Sequence, residues 1–134
     1  MSAGRTERGL RAAGIVACLA SLGLAAGCAD DPVPGPGVLT ATVESPNGAE
    51  GAALLTLVGD RILEISPLDG RVFSEHHGDT VIVVVVVVNE AGGELSFGVE
   101  VTDTTRRPLA TLLEVSGPDD KIRGLSGYSV DIRR

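Results

Sequence analysis

Glu94-Leu95-Ser96-Phe97-Gly98-Val99-Glu100-Val101-Thr102 is the stretch whose reading decides the fold class. Leu95, Phe97, Val99 and Val101 fall at every second position, while Glu94, Ser96, Glu100 and Thr102 take the other side. A period of two marks a strand with one face in a core and one in water, because successive side chains leave a pleated backbone on opposite sides. Burying the larger of those four apolar side chains contributes about 1.5–3 kcal/mol each.

Working outward, Asn89-Glu90-Ala91-Gly92-Gly93 carries strong turn chemistry and precedes this strand. Before it stands an unbroken run, Thr80-Val81-Ile82-Val83-Val84-Val85-Val86-Val87-Val88. It is far too short to cross a bilayer as a helix, which needs about 20 residues. Continuous β-branched residues suit a strand covered on both faces. In a two-layer domain one face ordinarily meets water. Either a loop, the tether or a partner therefore covers the outer face of Val81–Val88, or valines are tolerated there in the open. An uncharged run of this kind is an aggregation hazard at an open edge, so an interior place in a sheet is expected.

Short apolar runs and turn signals alternate through the rest of the body at intervals of roughly ten residues. Val38–Glu44, Ala52–Val58, Arg61–Ser66 and Arg71–Glu75 read as strands. Ser45-Pro46-Asn47-Gly48, Gly59-Asp60, Pro67-Leu68-Asp69-Gly70 and His76-His77-Gly78-Asp79 read as the turns between them. Leu109–Ser116 and Tyr128–Arg134 complete a set of about eight, with Tyr128, Val130 and Ile132 on one face of the last. No helical pattern follows the leader. The expectation is an all-β fold, a small antiparallel β-sandwich over residues 38–134, with a small barrel as the alternative.

Composition agrees with that core. Phe73, Phe97 and Tyr128 are the only aromatic residues of the 134 and there is no Trp, so Val, Leu, Ile and Ala must fill the interior. The chain carries a formal charge of -7. Arg5, Arg8 and Arg11 against Glu7 give the first 27 residues a net +2, which leaves -9 on the remaining 107. Such an acidic body repels phosphate backbones, so nucleic acid is not an expected partner. Both cysteines, Cys18 and Cys28, precede the body, which therefore has neither a disulfide nor a thiolate metal site.

The first 27 residues have the parts of a signal peptide. Residues 1–11 are positive, and Ala12 to Gly27 are sixteen residues without charge. Leu24-Ala25-Ala26-Gly27-Cys28 then resembles the lipobox of bacterial lipoproteins, with small residues directly before the cysteine. Ile15-Val16-Ala17-Cys18 fits the box itself better but leaves only Ala12 to Ala17 as its apolar region, so Cys28 is the expected lipidation site. The resemblance implies a diacylglycerol-bearing Cys28 and attachment to the membrane of a bacterial cell envelope. One acyl chain alone holds only reversibly, at about 0.8 kcal/mol per buried methylene, whereas several on one residue anchor firmly. Ala29 rather than Asp follows the cysteine, which implies outer-membrane sorting where the host has two membranes. Residues 28–37 form a tether in which three prolines and two glycines forbid helix and central strand.

Candidate chemistry in the body is sparse. Glu75, His76, His77 and Asp79 are the one cluster of metal-competent side chains, but adjacent histidines on extended backbone point to opposite faces. Asp69, Asp119 and Asp120 offer oxygens to calcium without the spacing of a dedicated loop. Leu125-Ser126-Gly127 lacks the strand-to-helix setting of a nucleophile elbow. Glu94 and Glu100 read as solvated charges; Arg106-Arg107-Pro108 is one local basic spot, open to anionic lipid or glycan, although two charges on a loop are usually just solvated. No catalytic, cofactor or metal residue is assigned, and no enzymatic activity is expected.

Gly78-Asp79-Thr80-Val81-Ile82-Val83 and Gly93-Glu94-Leu95-Ser96-Phe97-Gly98-Val99, with the strand spacing, resemble cohesin-like and carbohydrate-binding-like sandwiches of extracellular bacterial proteins. The resemblance implies the sandwich fold and carries over no partner-binding residue. Tyr128 is the one candidate for the aromatic platform of sugar-binding members. Two functions are expected from these readings: a surface-tethered module that binds an envelope protein or polymer, or a structural lipoprotein of placement or assembly.

Overall fold

The computed structural model describes residues 33–59 and 61–134. Cys18, Cys28 and the leader lie outside the described residues. Eight strands make up the fold: β1 (Gly37–Glu44), β2 (Ala52–Val58), β3 (Ile62–Pro67), β4 (Arg71–His77), β5 (Thr80–Val86), β6 (Leu95–Val101), β7 (Leu109–Ser116) and β8 (Ser129–Arg133). They form two antiparallel four-stranded sheets, β3-β6-β1-β8 and β4-β5-β2-β7, with no helix among the described residues. The protein is a small all-β sandwich.

Strand pairing is nested. β1 pairs with β8, β2 with β7, β3 with β6 and β4 with β5, as in one long ribbon folded over itself, and the 1·6 and 2·5 pairings join the ribbon's segments. Only β4 and β5 form a hairpin. Every other consecutive pair divides between the two sheets.

The core lies where the inner faces meet. Leu39, Ala41 and Val43 of β1 face Leu95, Phe97, Val99 and Val101 of β6, all 5 % exposed or less. Across the layer sit Ala53, Leu55 and Leu57 of β2 with Val81, Val83 and Val85 of β5. Phe97, the largest core side chain, is paired with Ala41, so a small residue makes room for the ring.

Two edge strands reach the core through bulges. Leu112 and Val115 of β7 are three positions apart, a spacing that regular pleating would put on opposite faces. The register shifts so that Leu112 lies opposite Leu55 and Val115 opposite Ala53, leaving Leu113 as the extra residue, 48 % exposed. β3 uses the same device. Ile62 lies opposite Val101 and Ile65 opposite Val99, with Leu63 between them bulged out and 52 % exposed.

The valine run is shorter as a strand than its sequence implies. β5 ends at Val86. The Val87 amide donates to the Gly51 carbonyl instead of to a neighbouring strand, and Val88 is 66 % exposed. β5 lies inside its sheet between β4 and β2, so both of its backbone edges are paired. It is not covered on both faces. Val81, Val83 and Val85 are fully buried, whereas Ile82, Val84 and Val86 are half-buried on the outer face. His76 and His77 also differ from expectation. They are the last residues of β4, opposite Val81 and Thr80, and Gly78 with Asp79 makes the turn. Gly78 takes φ 61°, which lets this short turn close without moving the histidines out of the ladder. Glu94 precedes β6 and is exposed, so it does not share a strand face with Glu100.

Candidate functional site

The two ends of the sandwich differ in chemistry. At the end far from the start of β1, three connections converge on Glu50. Its amide donates to the Gly93 carbonyl and its carbonyl accepts from the Gly93 amide, both at 2.9 Å, while the Gly51 amide donates to the Ser116 carbonyl at 2.8 Å. The Glu50 side chain is 1 % exposed. Oε1 accepts from the Ser45 hydroxyl at 2.6 Å and from the Tyr128 hydroxyl, which itself accepts from Asn47 Nδ2 at 2.8 Å. Oε2 accepts no hydrogen bond and lies 3.7 Å from Arg123 Nε, while Arg123 Nη2 reaches Asp119 Oδ1 at 3.2 Å.

Gly117 leaves the room that the Arg123 guanidinium occupies, because a Cβ there would collide with Nη2. A carboxylate held by two hydroxyls and faced by a guanidinium stabilises the loops that carry those groups, because a buried charge without partners is costly. Its burial leaves no room for a substrate against Oε1. Glu50 acts here as a clasp. Open clefts of about 320 and 500 Å³ flank it, the first lined by Ser45, Gly48, Glu50 and Glu94, the second by Val86–Glu90 with Gly117 and Pro118.

The near end receives the chain. The Thr104 amide donates to the Gly35 carbonyl at 2.9 Å, and the space a Cβ on Gly37 would need is filled by Thr104 Cγ2, 2.8 Å away. Gly35 and Gly37, the latter the first residue of β1, are therefore strapped to the β6–β7 connection. In that connection Asp103 Oδ1 accepts from the Thr105 hydroxyl at 2.6 Å and the Thr105 amide at 2.9 Å. The Thr105 hydroxyl first, then its amide, hold the Asp103 carboxyl below its ordinary value of 3.8. Arg106 Nε lies 3.9 Å from Asp103 Oδ2. Arg61, Thr102, Asp103 and Arg106 line an open cleft of about 520 Å³.

The residues singled out in the sequence are dispersed. His77 Nε2 meets Glu75 Oε1 at 3.2 Å on the exposed outer side of β4, while His76 lies on the other side, opposite Val81. Among the described residues no group of three His, Cys, Asp or Glu side chains stands ready for a metal ion. Asp119 is engaged with Lys121 and Arg123, Asp120 adopts φ 59° in its turn, and Asp69 lies in the β3–β4 turn. Ser126 is exposed in the connection before β8. Tyr128 is half-buried with its hydroxyl committed to Glu50, so its ring is no open platform. Sequence reasoning missed Glu50 and Arg123. The one available signal was an acid set among small residues in Gly48-Ala49-Glu50-Gly51-Ala52, and its partners Arg123 and Tyr128 lie 73 and 78 positions away.

One broad surface feature remains. On the outer face of the β4-β5-β2-β7 sheet, Phe73 lies opposite Val84 and Val84 opposite Leu54, with Leu113 bulged outward on β7. Phe73 is 60 % exposed, so this row opens to solvent. No protein-family model, curated protein or solved structure matches the chain.

Proposed function

We propose that this chain is a lipid-anchored protein of the bacterial cell envelope whose sandwich is a binding module. The observation that carries the reading is the lipobox-like Leu24-Ala25-Ala26-Gly27-Cys28 followed by a Pro/Gly tether. That tether runs into a domain whose first strand opens at the strapped Gly35–Gly37 segment. Cys28 carries the acyl groups, with outer-membrane placement where the host has two membranes. The apolar row Phe73–Val84–Leu54 supports the binding role, because an exposed contiguous apolar patch marks an interaction surface more often than a scattered residue does.

Two measurements test this. Cells fed a clickable palmitate analogue should label the wild-type chain and not the Cys28→Ser variant, which should also leave the membrane fraction; persisting label on the variant overturns the anchor. Phe73→Ser combined with Leu113→Ser should abolish recovery of any stoichiometric envelope partner that the wild type retains from solubilised membranes. Recovery of the bare protein in both cases overturns the binding role and leaves placement or assembly.

A further inference from the structure

Three of the four sheet edges carry a feature that hinders a further strand. β3 bulges at Leu63 and ends on Pro67, β7 bulges at Leu113, and β8 is only five residues long. Bulges, prolines and short edge strands are the usual devices that keep foreign strands off a sheet. β4 has none of them. All seven of its residues pair with β5 in unbroken register, and among the described residues no strand pairs with its other side. It is also the only one of the eight strands that buries no residue.

We propose that β4 pairs antiparallel with β4 of a second copy about a twofold axis at Phe73. The pairing joins the two β4-β5-β2-β7 sheets into one sheet of eight strands. Backbone donors and acceptors on the open side of β4 supply the new ladder. The inference goes beyond the binding reading above and does not depend on the anchor.

The residues of β4 select this register. Arg71, Phe73, Glu75 and His77 share its outer face, where Glu75 Oε1 lies 3.2 Å from His77 Nε2. With the axis at Phe73, Arg71 of each copy stands opposite Glu75 of the other, so two opposite-charge pairs flank a contact between the two Phe73 rings. Arg71 has no ion-pair partner within its own copy among the described residues. On the inner face, Val72 meets the small Ser74 of the second copy. Neighbouring registers lose the match. An axis at Ser74 sets Phe73 against Glu75, one at Val72 sets it against Arg71, and one at Glu75 sets two carboxylates face to face.

The same register extends the apolar row. Leu54, Val84 and Phe73 lie opposite one another across β2, β5 and β4. The twofold axis doubles them into a row of six side chains that crosses about 24 Å, since neighbouring strands lie roughly 4.8 Å apart. Phe73, 60 % exposed in one copy, then gains an aromatic partner across the new strand pair. The axis is perpendicular to the sheet, so both copies present their row on the same side.

The test uses the full chain purified in detergent, free of other envelope components, so its failure leaves the binding reading standing. Sedimentation should show a dimer that dissociates on dilution. Arg71→Glu faces each Glu75 with a like charge and should raise the concentration at half-dissociation roughly tenfold. Adding Glu75→Arg restores opposite charges and should bring that concentration back. Phe73→Cys should join two copies by a disulfide at position 73 under mild oxidation, because opposed Cβ atoms lie about 4.5–5.5 Å apart. Leu113→Cys, on the other edge of the sheet, should not.

A monomer at every concentration overturns the proposal and leaves the β4 edge to a strand of a different protein. Arg71→Glu without effect, a double variant no tighter than the single one, or a cross-link at position 113 in place of 73 each overturns the pairing about Phe73.

Discussion

The outer faces of the two sheets make an instructive pair. β3-β6-β1-β8 shows water Thr40, Thr42 and Glu44 from β1, Glu64 and Ser66 from β3, Glu100 from β6, and Ser129, Asp131 and Arg133 from β8, with Val38 and the bulged Leu63 as its exposed apolar residues. β4-β5-β2-β7 shows a centre of Ile82, Val84, Val86, Leu54 and Phe73, flanked by Arg71, Glu75 and His77 on β4 and by Thr56 on β2. Their inner faces are alike. Leu95, Phe97, Val99 and Val101 on β6 and Val81, Val83 and Val85 on β5 are all within 1 % of complete burial. Strict alternation in one sequence and an unbroken valine run in the other therefore give the same core pattern. The difference falls entirely on the outside. It leaves one sheet mainly polar outside and the other with a central apolar row.

Four measurements break or sharpen that comparison. The largest effect is expected on β5 itself. Val83→Asp places an unpaired carboxylate in the sealed layer and should unfold the domain, a loss above about 4 kcal/mol in urea titration. Val84→Thr, one residue along, should cost less than about 1 kcal/mol. If the two variants behaved alike, the inner and outer assignments would be wrong.

The two phenylalanines offer a gentler version. Phe97→Ala empties the centre of the core and should cost about 3–5 kcal/mol. Phe73→Ala, at an exposed site, should change stability by less than about 1 kcal/mol in the same urea titrations. A large loss from Phe73→Ala would mean that its face is packed and closed to partners.

Tyr128→Phe removes one donor to the buried Glu50 carboxylate and should cost about 1.5–3 kcal/mol, the worth of a hydrogen bond to a charged group. The clasp joins connections that serve strands of both sheets. Amide exchange should therefore rise at Glu50, Gly51 and Gly93 before it rises in the strands. Uniform exchange would show that the clasp does not close the end.

The smallest effect concerns acid. Asp103 in the folded state titrates below its ordinary value, so the ionised form is favoured by folding. The stability it adds is present above pH 3.8 and is lost as pH falls through its lowered value. Asp103→Asn should flatten that last part of the acid melt, read as a smaller drop in Tm between about pH 4 and pH 2 than in the wild type. An unchanged drop would exclude Asp103 as a contributor.

Much of the architecture was legible in the residues because strand sequences advertise their own inner face. The eight strands lie close to where the apolar runs place them, and the turns fall at Gly, Pro, Asn and Asp as local backbone preferences require. Three features stayed hidden for physical reasons. The valine run has no period, so nothing in it marks which residues face outward. The bulges at Leu63 and Leu113 place residues three apart on one face, a spacing that looks like a flaw until the partner strand is present. Glu50 looked like any surface acid, because its environment is made by Ser45, Tyr128 and Arg123 only after folding.

What the sequence by itself determined is therefore local and one-dimensional: eight strands, an apolar side for each regular strand, and a surplus of acid. Pairing was decided only by the tertiary structure. Strong turns such as Ser45–Gly48 predict reversals, and all but the β4–β5 turn carry the chain from one sheet to the other. Whether a turn closes a hairpin or bridges two layers depends on which distant strand completes the ladder. For β1 those strands are β6 and β8, about fifty or more residues away. The same winding sets Glu64 opposite Glu100 and Arg133 opposite Thr40, so charges far apart along the chain become neighbours. Charge counted along the chain shows only an acidic protein, because an end of a sandwich exists only once its strands are paired.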